Sequence, residues 1–295
     1  MVDSELRCLA ELFDDRDATV VAAVDRNLME RGDGVIYDLI ELYRENSDGE
    51  LGPIIKRVIT KYNEIFVLNG LKRFSERIKF GEATLIDGIH WTGRLLRADF
   101  SYQELVNVIL PVVGDLISEI SPSKTAVENV NILNHIFYNR YKFEASGPFD
   151  LKDEQLLVHN IVKSKRANPL ALSLFYFAVA QSVQLPIYPL CFKGGFVPVY
   201  VEEDRVKFYI NIFHKGEIFL ENNLKNVVDM SMLNSMGVKI EDFEVKRDGT
   251  IIAMYLEFLL SNFATRGDKF KERMAESALS AMGESKFLTI DEDDL

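Results

Sequence analysis

The segment Leu170–Val183 reads LALSLFYFAVAQSV and is apolar almost all round, and a helix with no polar face has to be buried on every side. Immediately after it, at Leu185-Pro186, the apolar period changes from 3.6 residues to two. A chain with this switch packs helices around a central one and sets strands against it, so the fold class is α+β and mostly helical. The β-rich runs are Ile187–Phe192, Phe196–Val201, Arg205–Asn211 and Glu217–Leu220. Gly194-Gly195, Glu203-Asp204 and Lys215-Gly216 separate them, which predicts a small antiparallel meander. Pro189 and Pro198 place their amides at an edge or a bulge.

Upstream, apolar residues recur at three and four: Leu6, Leu9, Leu12 and Phe13, then Val20, Val21, Val24 and Leu28, then Val35, Ile36, Leu39, Ile40 and Leu42. Breaks fall at Asp14–Asp17, Arg31–Asp33 and Asn46–Pro53, where Asn, Asp, Gly and Pro cluster as helix ends require. A further pair is expected over Ile54–Asn63 and Ile65–Ile78. Residues 1–80 therefore read as helical hairpin repeats of HEAT-like style. The helical pattern continues over Leu85–Ile120, with Ser101 as a cap and Pro111 as a kink or a new turn, then over Ala126–Tyr141 and Leu151–Ser164. It returns from Leu224 onward, and two helices, Ile251–Phe263 and Phe270–Met282, close the chain before an acidic tail over 285–295. The expected division is 1–80, 81–245, 246–284 and the tail.

Charge and cysteine usage narrow the function classes. With 34 Lys+Arg against 46 Asp+Glu the formal charge is −12, which repels phosphate backbones and anionic lipid. Lys163, Lys165 and Arg166 form the densest basic cluster, too few for a nucleic-acid footprint. Nucleic acid and membrane are not expected partners. Cys8 and Cys191 stand far apart in apolar surroundings, so a disulfide framework is excluded and a reducing, cytoplasmic compartment is expected. No zinc or calcium spacing occurs, and no metal or cofactor is expected. The longest apolar runs, such as Ile251–Leu260, stop well short of a bilayer span.

Five short motifs lie in register: Leu133-Asn134 followed by Phe137 and Phe143; Arg166-Ala-Asn-Pro-Leu-Ala-Leu-Ser173; Leu185-Pro186; Lys193-Gly-Gly-Phe196; and Ile210-Asn-Ile-Phe213 with Gly216. Over roughly residues 105–283 the chain thereby resembles the SirB-type transglutaminase-like proteins. The closing helical pair, with its LLSNFATRGD linker, is similar to the tetratricopeptide-like tail of the same family. The resemblance implies a transglutaminase-like core between helical flanks. In an active core of this kind a Cys starts the long helix, where the helix end lowers the thiol pKa and backbone amides hold an oxyanion. A strand His takes the thiol proton and an Asp orients that His. Here those positions fall at Pro169, Gly195 and Asn211, so all three ionisable groups are replaced.

The resemblance therefore implies a catalytically inactive protein acting as a protein or peptide interaction scaffold. Its remnant cleft comprises Asn168, Pro169, Ser173, Gly194, Gly195, Phe196, Asn211 and Phe213. The alternative is a hydrolase or acyl-transfer enzyme on the same fold that uses Cys191 and His214. Against it, Cys191 is placed on a strand rather than at a helix start, and buried free cysteines behave as small hydrophobes. His90, His135 and His159 lie in helical segments and are read as structural.

Overall fold

The computed structural model describes residues 4–147, 150–226 and 243–283. The chain opens with α1 (Ser4–Ala10), α2 (Ala18–Glu30), α3 (Val35–Glu45) and α4 (Leu51–Ile78). Asp17 starts α2 by accepting the Thr19 N–H at 2.7 Å, which satisfies one of the donors a helix start leaves open. The pair expected over 54–78 is instead part of one 28-residue helix. Asn63 reads locally as a break, yet its side chain is buried and donates to the Arg94 carbonyl at 2.9 Å. A polar residue with a partner 31 positions away does not interrupt a helix.

Helices α5 (Leu85–Arg94), α6 (Tyr102–Glu119) and α7 (Ala126–Asn134) follow. Ser101 and Glu104 form a reciprocal capping box at the start of α6, and Thr125 and Glu128 do the same for α7. Pro111 lies inside α6 on its exposed side, where water can serve the carbonyl that loses its donor. From α7 the chain passes into a π-helical turn, His135–Arg140. The single helix expected over Leu151–Ser164 is two, α8 (Asp153–Leu156) and α9 (Val158–Ser164), because Leu157 is extended at φ −86° and ψ 124°. Short strands β1 (Glu144–Ala145) and β2 (Arg166–Ala167) pair in parallel and lead into α10 (Pro169–Ser182).

The meander is β3 (Ile187–Phe192), β4 (Gly195–Glu202), β5 (Arg205–Asn211) and β6 (Glu217–Phe219). A fifth strand, β7 (Glu244–Val245), adds beside β3, giving the antiparallel order β6-β5-β4-β3-β7. Pro189 and Pro198 stand opposite each other in the β3–β4 ladder, not on an outer strand. The Pro189 carbonyl accepts from Lys246 N–H at 3.0 Å on the far side. The two prolines thus occupy a wide pair, in which neither N–H would join β3 to β4. The helical return expected after Leu224 begins with a 3-10 turn, Glu221–Asn226. Its continuation, like the acidic tail, lies outside the described residues. Helices α11 (Thr250–Arg266) and α12 (Lys269–Ala281) form the closing pair.

One hydrophobic cluster runs from Val67 to Met282 and surrounds α10, of which Leu174, Phe175, Tyr176 and Phe177 have no exposed surface. A second cluster joins α1–α3 to the first half of α4. A third, with Leu190, Val197 and Val199, covers the other face of the sheet. Among the described residues no helix is long and apolar enough to cross a membrane.

Candidate functional site

The start of α10 faces an open pocket of about 370 Å³. Asn168 caps the helix: its Oδ1 accepts the Leu170 N–H at 3.0 Å, and its carbonyl accepts from Leu172 N–H at 2.8 Å. Pro169 takes the first helical position, where its missing N–H costs no bond. Ser173, one turn on, donates its hydroxyl to the Pro169 carbonyl at 2.8 Å. The helix end therefore offers no side-chain nucleophile at Pro169, and the amide of Leu170 is already engaged by Asn168.

The facing wall comes from the sheet. Gly194 adopts φ +93°, a value glycine reaches without steric cost, and so closes the β3–β4 turn and brings Gly195 and Phe196 to the pocket. Asn211 ends β5 and is 9% exposed. Its Oδ1 accepts the Phe213 N–H at 3.0 Å, which orients the amide so that Nδ2 lies 2.8 Å from His214 Nδ1. With the amide held this way, Nδ2 is the group turned toward the imidazole. Phe213, 52% exposed, stands at the rim.

Of the eight residues assigned from sequence to the cleft, all but Asn168 line this pocket, and Asn168 shapes it by capping α10. Leu170, Val197, Ile210 and Ile212 join as chain neighbours of assigned residues, and Pro198 lies two positions beyond Phe196. Phe258 was not foreseen: it reaches the pocket from α11, and nothing in its local sequence separates it from any other core aromatic.

The alternative pair is not assembled. Cys191 is 6% exposed and its Sγ lies 3.7 Å from Met254 Sδ, and burial pushes its thiol pKa up to about 12. His214 is exposed and held by Asn211. Neither lines the pocket. The expectation that the two share a cleft is corrected: Cys191 stands opposite Phe196 in the β3–β4 ladder and shares its face of the sheet, but its side chain is covered there by Met254 of α11 instead of lining the pocket. Of the remaining histidines two are internal and His135 is exposed. His90 and His159 are buried, which depresses both to about 4, and His159 Nδ1 sits 3.2 Å from the Gly93 carbonyl. His135 begins the π-helical turn, with its Nδ1 3.4 Å from Asn139. Among the described residues no group of His, Cys, Asp and Glu is placed to hold a metal ion.

A family model described as transglutaminase-like superfamily matches residues 104–256, a span that contains the whole pocket apart from Phe258. A UPF0162 protein of Buchnera aphidicola subsp. Schizaphis graminum is 27% identical over 172 residues, covering 54% of this chain and 62% of the relative. Protein SirB1 of Salmonella typhimurium is 23% identical over 209 residues, 68% of this chain and 72% of the relative. UPF0162 protein YchA of Escherichia coli K12 is 25% identical over 182 residues, 61% and 67% respectively. The chain spans about three fifths of the length of two Buchnera relatives it matches, 62% and 60%. No solved structure is significantly similar to it.

Proposed function

Because the chain belongs to the SirB-type transglutaminase-like family, we propose that it is a non-catalytic member whose pocket binds a protein or peptide partner. The observation that carries this reading is the pocket lining. The triad positions implied by the resemblance are Pro169, Gly195 and Asn211, all three of which border the pocket, and among the described residues no acidic, basic, thiol or imidazole side chain lines it. Acyl transfer needs a nucleophile with a base in reach. It also needs free donors for the oxyanion, and the Leu170 N–H is spent on Asn168.

What the pocket retains is a shaped, largely apolar recess with a few polar groups at its mouth, the arrangement recognition sites use. The experiment compares the wild-type chain with the Gly195→His/Asn211→Asp double variant against amide and glutaminyl substrates. Neither is expected to turn over substrate, since both still lack a nucleophile at residue 169. Turnover by either, abolished by Cys191→Ala, would overturn the reading.

A further inference from the structure

Among the described residues, strand β4 has no backbone partner for Phe196 where it borders the pocket. Val201 donates its N–H to the Pro186 carbonyl at 2.9 Å, so in the unshifted β3–β4 ladder Val197, Val199 and Val201 direct their backbone groups to β3. Phe196, Pro198 and Tyr200 direct theirs to the opposite side, toward β5. Pairing with β5 runs from Glu202↔Arg205 to Val199↔Tyr209 and ends there. Pro198 accounts for the end, because it has no N–H to give Ile210. Beyond it, among the described residues, the N–H and C=O of Phe196 have no strand opposite them.

An outward N–H and C=O on one strand residue are matched by a single residue of another extended chain. Such a residue would project its side chain to the same face as Phe196, whose ring packs on Phe177 of α10 at a centroid distance of 6.0 Å. That face is the pocket, where Leu170 and Phe258 supply apolar walls. A charged side chain would find no counter-charge in the lining and would lose its hydration.

Resting on the interaction reading above, we propose that the partner is an extended peptide segment that adds a short strand along β4: one residue takes both backbone bonds of Phe196, and its apolar, uncharged side chain enters the pocket. Strand addition at an open edge draws affinity from main-chain bonds and specificity from the side-chain recess.

The probe is the capped pentapeptide acetyl-Ala-Thr-Leu-Thr-Ala-amide, titrated to millimolar concentration into the full chain and followed by amide hydrogen exchange and backbone NMR. In the free protein the Phe196 amide is expected to exchange faster than those of Val197 and Val199, and to slow when the peptide is added. Replacing the central Leu with Asp, or N-methylating its amide, is expected to weaken binding about tenfold or more, the scale of one lost hydrogen bond or one buried charge. A Phe196 amide already protected in the free protein, or equal affinity of the N-methylated peptide at the same resonances, overturns strand addition and leaves the pocket reading standing. Binding that moves neither Phe213 nor Phe258, or no binding by the Leu peptide and its Phe and Val counterparts, overturns both.

Discussion

Asn134, at the end of α7, donates its amide to the Gly216 carbonyl at 2.6 Å, and Gly216 in turn leaves no room for a side chain beside it. The Asn134 Oδ1 also accepts the Tyr176 hydroxyl at 2.7 Å, so one amide ties α7, α10 and the turn after β5. Gly216 has φ +77°, and a Cβ there would stand 2.0 Å from Asn134 Oδ1. This contact explains two motifs separated by 82 residues: the Asn of the Leu133-Asn134 pair and the Gly that follows Ile210-Asn-Ile-Phe213.

Gly216→Ala combines a left-handed backbone with a clash on a bonded amide, and is expected to cost about 2–4 kcal/mol in urea unfolding. Tyr176→Phe removes only the hydroxyl donor and is expected to cost about 1 kcal/mol. Equal, negligible effects of both would mean that Asn134 does not join these elements. Because Ile212 and Phe213 line the pocket just ahead of this turn, Gly216→Ala should also perturb pocket resonances in variants that remain folded.

Legibility followed the range of the interactions. Ile187–Phe192 and Arg205–Asn211 form strands with the boundaries their alternation predicts, and Ser101 caps α6 as its position before an apolar helix suggests. These features are local. Asn63, the break at Leu157 and strand β7 were not legible, because a partner distant in sequence decides the first and third and backbone conformation at one residue the second. The pocket was readable along α10, β4 and β5, where motif residues are close together. Phe258 was not, since only tertiary packing brings α11 there.

The two buried histidines make stability fall with acid. Both are held neutral by desolvation, with folded pKa values lowered from 6.5 to about 4. Below 6.5 the unfolded chain therefore binds protons that the folded chain does not, and the unfolded state gains. Stability is expected to be steady above this value and to drop progressively as pH falls from 6.5 toward 4. The two sites differ in their partners. His90 Nδ1 has none among the described residues, and its ring packs near Trp91, Phe100 and Tyr102, whereas His159 bonds to the Gly93 carbonyl. His90→Phe should thus flatten the acid limb and be neutral or stabilising at pH 7, while His159→Phe flattens it at a cost of about 1 kcal/mol. Denaturant midpoints measured from pH 7.5 to 4.5 test this, and an unchanged slope in both variants would refute it.

Arg94 has no exposed surface, yet its guanidinium reaches Asp33 at 2.5 Å and lies 5.5 and 5.4 Å from the Tyr37 and Trp91 rings. It fastens the loop between α2 and α3 to the end of α5. Asp33→Asn leaves a buried cation with weaker compensation and is expected to cost about 1–2 kcal/mol, moderated because Asp33 is half exposed. Arg94→Lys keeps the charge but loses the planar stacking and fork, so it should destabilise at least as much. Arg94→Met, which removes the buried charge altogether, should cost less than Arg94→Lys. The reverse order in urea unfolding would show that charge alone matters there.

The cysteines offer a direct test of the inert pocket. Cys8 is exposed, whereas Cys191 is buried against Met254 with its thiol pKa raised to about 12. Alkylation follows the thiolate fraction and access together. In timed alkylation of the native chain at pH 7.5, read by mass spectrometry, Cys8 is expected to label steadily and Cys191 only once urea unfolds the protein. Cys191→Ala should cost about 1 kcal/mol or more through lost packing against α11. Cys191→Ser should cost more, because its hydroxyl would meet the same sulfur in a site where the thiol's weak donor suffices. Labelling of Cys191 ahead of Cys8 would place an accessible thiolate on β3, and the acyl-transfer alternative would then have to be reopened.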